Sequence, residues 1–122
     1  MTWNPATIEE VKELVQKGFA ACDDVQAEAF RRCSVEPYYA SIRRYGMIEQ
    51  VVVVARRSTE VIYYEDVEEG FNISPVGPDG NVLEHWCNQA TLGDALDYWI
   101  AGRVPQGKWS PALNIKPKGA NE

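Results

Sequence analysis

With 122 residues, a net charge of −6 and a pI near 4.8, the chain has the length of one domain and an acidic surface. An acidic surface repels phosphate backbones, which excludes nucleic acid as a first partner. No stretch reaches the ~20 apolar residues of a membrane span, and three cysteines leave one over in any disulfide scheme. Odd, scattered thiols fit a reducing compartment, and Met1–Pro5 has neither the basic start nor the apolar middle of a secretory signal. A cytoplasmic location is therefore expected.

Thr7-Ile8-Glu9-Glu10 reads as a capping box: the threonine hydroxyl accepts a first-turn amide while Glu10 reaches back. Ile8, Val11, Leu14, Val15, Phe19 and Cys22 then form one apolar stripe at helical spacing. Gly18 either weakens that helix or marks a close approach to a neighbour. Asp23-Asp24-Val25-Gln26 stops it and caps a second helix, which Val25, Ala29, Phe30 and Cys33 face inward and Ser34 and Pro37 end. The two make an N-terminal helical hairpin.

Tyr38 to Tyr45 fits two readings. Pro37 can open a short helix, or the segment can be an edge strand turning at Gly46; its aromatic and β-branched content favours the strand. Ile48 to Ala55 follows, and Val51-Val52-Val53-Val54 has no helical period and supplies apolar groups to both faces of a sheet. Val61–Tyr64, Phe71–Ser74 and Val82–Trp86 continue at short intervals, separated by turn residues that include Gly77-Pro78-Asp79-Gly80. The reading is a four- to five-stranded antiparallel meander.

Thr91 caps a last helix whose stripe is Leu92, Ala95, Leu96, Trp99 and Ile100, with Gly102 as its closing residue. The expected fold class is α+β: residues 1–102 as a single domain, with the C-terminal helix packed on one sheet face. Residues 103–122, rich in proline and glycine, form an extension docked by Trp109, Leu113 and Ile115 on the domain or on a neighbouring chain.

Chemistry-bearing residues are few. Glu65-Asp66-Val67-Glu68-Glu69 places four carboxylates in five residues between two strands. The run lacks the alternating acidic spacing and glycine of a calcium loop, so no metal or other cofactor is expected. A solvated loop that blunts the sheet edge is the bland reading; a surface for a basic protein partner is the functional one. His85 is the sole histidine, and in extended chain it shares a face with Cys87, the start of a Cys–His pair without a recognisable oxyanion hole. Arginines come in adjacent pairs, so on strands each pair offers one guanidinium per face, and Arg43 or Arg44 can meet the acidic run.

Tyr64-Glu65-Asp66-Val67-Glu68-Glu69-Gly70-Phe71-Asn72 together with Asn88-Gln89-Ala90-Thr91-Leu92 resembles small bacterial α+β proteins of the toxin-immunity and mobile gene-cassette kind. The resemblance spans roughly residues 60 to 100 and carries no site motif. It implies a compact acidic domain that neutralises a toxin or effector.

Three functions are therefore weighed. The first is an acidic protein-binding module using Glu65, Asp66, Glu68 and Glu69, with Tyr64, Phe71 and Trp86 as apolar anchors. The second is a small ligand-binding domain or enzyme with a pocket at His85, Cys87 and Tyr63. The third is a self-associating structural protein that exchanges its tail between copies of a homo-oligomer.

Overall fold

The structure, a computed structural model, describes residues 5–101. Three helices, α1 (Ile8–Ala20), α2 (Asp24–Cys33) and α3 (Leu92–Ala101), pack with four strands, β1 (Ser34–Arg44), β2 (Met47–Arg57), β3 (Glu60–Glu65) and β4 (Gly70–Pro75). The strands form one antiparallel sheet in the order β1-β2-β3-β4. Among the described residues no helix is long and apolar enough to cross a membrane.

Local chemistry sets each helix. Both capping boxes of the hairpin form, Thr7 with Glu10 and Asp23 with Gln26. Thr91 and Asp94 exchange the same reciprocal bonds at the start of α3. A cap of this kind is worth about 1 kcal/mol. Gly18 proves to be a close approach: a Cβ there would lie 2.9 Å from the Leu92 Cβ of α3. Gly102 and the extension 103–122 lie outside the described residues.

The segment from Tyr38 is strand throughout, part of β1, and it turns through Tyr45-Gly46, both at positive φ. That pair of left-handed residues between Arg44 and Met47 is the geometry a two-residue hairpin requires. The β2 core is buried on both faces, Val51 through Ala55 being at most 1% exposed. A bulge between Val53 and Ala55 turns Val54 and Ala55 to the same side. Each buried valine contributes about 1.5–3 kcal/mol.

Strand alternation divides the core in two. All three helices cover one face, where Val52, Val54, Ile62, Tyr64, Phe71 and Ile73 meet Val11, Leu92, Leu96 and Trp99. The other face carries Ala40, Ile42, Val51, Val53, Val61 and Tyr63 under Val82. Among the described residues no helix lies there.

The expected fifth strand at Val82–Trp86 does not form; residues in that stretch make only isolated bridges, Val82 with Ile42 and with Val76. Residues 82–90 instead run as a strap across the second face, and the sheet's side chains take the place of a ladder. Ser74 Oγ accepts from the Leu83 and Glu84 amides at 3.1 and 2.9 Å. Tyr63 Oη donates to the Glu84 carbonyl at 3.0 Å and accepts from the Trp86 amide at 2.9 Å. Asn72 binds both the amide and the carbonyl of Asn88 at 3.1 and 3.0 Å. Gly70 lets the strap close down on β4, since a Cβ there would fall 2.1 Å from the Asn88 carbonyl oxygen.

Candidate functional site

The strap carries His85 and Cys87 to the end of the sheet where β1 finishes, β2 starts and β3 finishes. Arg44, Glu49 and Glu65 converge there, one from each strand. The Arg44 side chain is fully buried and acts as a three-way donor. Its Nε lies 2.6 Å from Glu49 Oε1, its Nη1 3.0 Å from Glu65 Oε2 and its Nη2 3.0 Å from Asp66 Oδ1. A planar guanidinium suits this, because its donors point along fixed in-plane directions. Asp66 uses its other oxygen to accept the Ala6 amide at 2.9 Å, and Glu65 Oε1 accepts the Glu68 amide at 2.7 Å.

Burial alone would push the Glu65 carboxyl up. The bonds from His85 and the Glu68 amide, with the charge of Arg44, outweigh it and hold Glu65 below its ordinary value. Arg44 behaves likewise: burial opposes its charge, yet Glu49 and Asp66 raise its pKa. Severing one partner of such a buried pair costs about 3–5 kcal/mol, most of it from the charge left behind.

At the open side of this centre His85 Nε2 lies 3.0 Å from Glu65 Oε2 and 3.4 Å from Cys87 Sγ. The Tyr45 ring stands edge-on to the imidazole at 5.2 Å, and its hydroxyl reaches Cys87. The three donor atoms of Glu65, His85 and Cys87 all lie within 4.8 Å of one another. Glu65 is buried, His85 half-buried and Cys87 exposed.

This arrangement is not a nucleophile relay. Both contacts of His85 fall on one nitrogen, whereas a relay needs thiol and carboxylate on opposite nitrogens. Cys87 is exposed, yet partial desolvation by its neighbours and the charge of Glu65 push its thiol up, so it is not poised as a thiolate.

The residues expected along an acidic docking border do not share one surface. Tyr64 and Phe71 point into the helix-covered core, 8% and 5% exposed, with their rings edge-to-face at 5.3 Å. Burial, helped by Glu69 and Asp66, pushes the Tyr64 phenol up to about 12. As surface anchors both are ruled out by strand alternation, which puts them on the side of Ile62 and Ile73. Glu65 and Asp66 are corrected too, being 0% and 9% exposed and paired with Arg44. Only Glu68 and Glu69 are open to solvent; Trp86 is half-buried, its Nε1 donating to Glu84 Oε1 at 2.9 Å.

Tyr63 reaches the site only indirectly, as the buried pin of the strap. Position parity carried a signal for Glu65: it shares the face of Val61 and Tyr63, so its side chain points under the strap. The Asn72–Asn88 lock had no signal in composition or spacing. A separate cavity of about 600 Å³ opens on the opposite, helix-covered side, lined by Val25, Ala29, Arg32, Arg57, Trp99 and Ile100 among others. Neither His85 nor Cys87 lines it.

No protein-family profile, no curated protein and no solved structure matches the chain.

Proposed function

We propose that the protein is a small-ligand-binding domain whose site is the cluster of Glu65, His85 and Cys87, backed by Arg44 and flanked by Tyr45. The observation that carries this reading is the sharing of one imidazole nitrogen by a carboxylate and a thiol, at 3.0 and 3.4 Å. Three unlike donors from two distant segments meet at a half-open point, and the backbone that bears them is pinned on both sides. Preorganised polar groups at an accessible point are what a specific ligand site needs. Docking of a basic protein, the other reading of the acidic run, retains Glu68 and Glu69 but loses Tyr64 and Phe71 as anchors.

Thermal melting against a panel of inorganic anions, carboxylic acids, nucleotides and divalent cations tests the proposal. A ligand held at 100 times its Kd adds about 2.7 kcal/mol, which for a domain of this size is a Tm rise on the order of 10 °C. At least one class is expected to raise the Tm of the wild type and not that of His85→Ala. A panel without effect, or an equal effect on the variant, overturns the reading.

A further inference from the structure

We propose that the ligand of this cluster is a zinc-class divalent cation, bound by Glu65 Oε2, His85 Nε2 and Cys87 Sγ. This rests on the small-ligand reading and deepens it. Four donors around a tetrahedral zinc, at bond lengths near 2.0–2.3 Å, are separated from one another by about 3.3–3.7 Å. The cluster holds its donors at 3.0 Å for Glu65–His85 and 3.4 Å for His85–Cys87, with all three within 4.8 Å. The two His85 pairs come to these separations with shifts of a few tenths of an ångström, and Cys87, exposed at its end of the cluster, has the rotamer freedom to close on Glu65 by about an ångström.

The donor set selects the metal. A thiol and an imidazole beside a single carboxylate suit zinc or cobalt, whereas magnesium and calcium demand several oxygens. Charge favours a cation at this point as well: Arg44 faces three carboxylates, from Glu49, Glu65 and Asp66. Beside the lone pair that accepts from Arg44, Glu65 Oε2 turns its second toward His85 Nε2, and a cation would replace that contact; Arg44 with the Glu68 amide fixes the carboxylate's orientation. Tyr63 pins Trp86 and Asn72 pins Asn88, so the residues between and beyond the two strap ligands cannot drift.

The chain offers no rival set among its thiols. His85 is its one histidine, and Cys22 and Cys33 belong to the helix-covered side of the sheet. Binding takes the proton of the Cys87 thiol into solvent and leaves a metal–thiolate bond. Three protein donors leave one of four positions open for water or an exogenous ligand.

The test is cobalt and zinc titration of chelator-stripped, full-length, reduced protein. One equivalent of Co2+ is expected to give the near-ultraviolet thiolate-to-cobalt band and the intense visible bands of a four-coordinate site, and Zn2+ to bleach both. Cys87→Ser and His85→Ala are expected to abolish the thiolate band or the four-coordinate spectrum respectively. Each should weaken zinc by at least the roughly 10–100-fold that outer-shell changes cost, while Cys22→Ser binds as wild type. Alkylation of the exposed Cys87 in folded wild-type protein repeats the test without dependence on a variant's folding. Absence of the thiolate band, or zinc affinity unchanged in both variants, overturns the metal assignment. If another class in the ligand panel still stabilises the protein through His85, the small-ligand reading survives that result; if none does, both fall.

Discussion

The acidic run divides at Val67 into two halves with the same charge and opposite surroundings. Glu65 and Asp66 are buried, each accepting from Arg44 and each also holding a backbone amide, that of Glu68 or of Ala6. Glu68 and Glu69 are exposed. Glu65 ends a strand and points under the strap; Glu69 sits at φ 66° in the hairpin connection that its own amide closes onto the Glu65 carbonyl. The difference teaches that a dense charge run in a sequence is not yet a field outside the molecule. One half of this run is an internal fastening, and the other is a solvated turn.

The sharpest way to break the contrast is Arg44→Met, which strips the cation from three carboxylates at once. A loss of about 3–5 kcal/mol is expected, read as a lowered urea midpoint with the slope unchanged. A loss under 1 kcal/mol would mean that the inner half is no fastening. Acid titration of the metal-free protein probes the same half more gently. Because Glu65 is held below its ordinary value in the folded state, its contribution is present above the unfolded pKa and fades as pH falls through the folded one. Stability of the wild type should therefore decline below about pH 4.3, the ordinary glutamate value, and Glu65→Gln should flatten that decline. An unaltered acid limb in the variant would count against the pairing.

The smallest effect belongs to the outer half. Glu68→Lys with Glu69→Lys should change stability by no more than about 0.5 kcal/mol, the usual range for exposed substitutions. It should leave cobalt spectra intact as well. A large stability change would show the two halves to be coupled, and the contrast would dissolve.

Much of the scaffold was legible in the sequence because it follows from local chemistry. The Thr7/Glu10 and Asp23/Gln26 boxes are short-range devices, and Val51–Val54 can hardly be anything but a strand buried on both sides. The strap reads as a candidate fifth strand in the sequence because its residues have strand-like composition. What decides its path is the reach of Ser74, Tyr63 and Asn72, three side chains whose roles are set by a register no local pattern encodes. His85 and Cys87 were legible as a pair sharing a face, since alternation needs only that the chain be extended. Their third member was not, because joining Glu65 to them requires knowing that residues twenty positions apart cross at the sheet's end.

The Asn72–Asn88 lock also bears on how kin of this chain could be recognised. Exchange of its buried valines for isoleucine or leucine costs about 1–3 kcal/mol of overpacking, but those sites demand apolar volume and not one residue type. Aspartate, the isostere of Asn72, could accept from the Asn88 amide but not donate to its carbonyl, and the glycine two places before it has no substitute that fits beneath the crossing chain. The most exacting requirements of this architecture are therefore sparse and polar: glycine, one spacer, asparagine, and a second asparagine sixteen residues on.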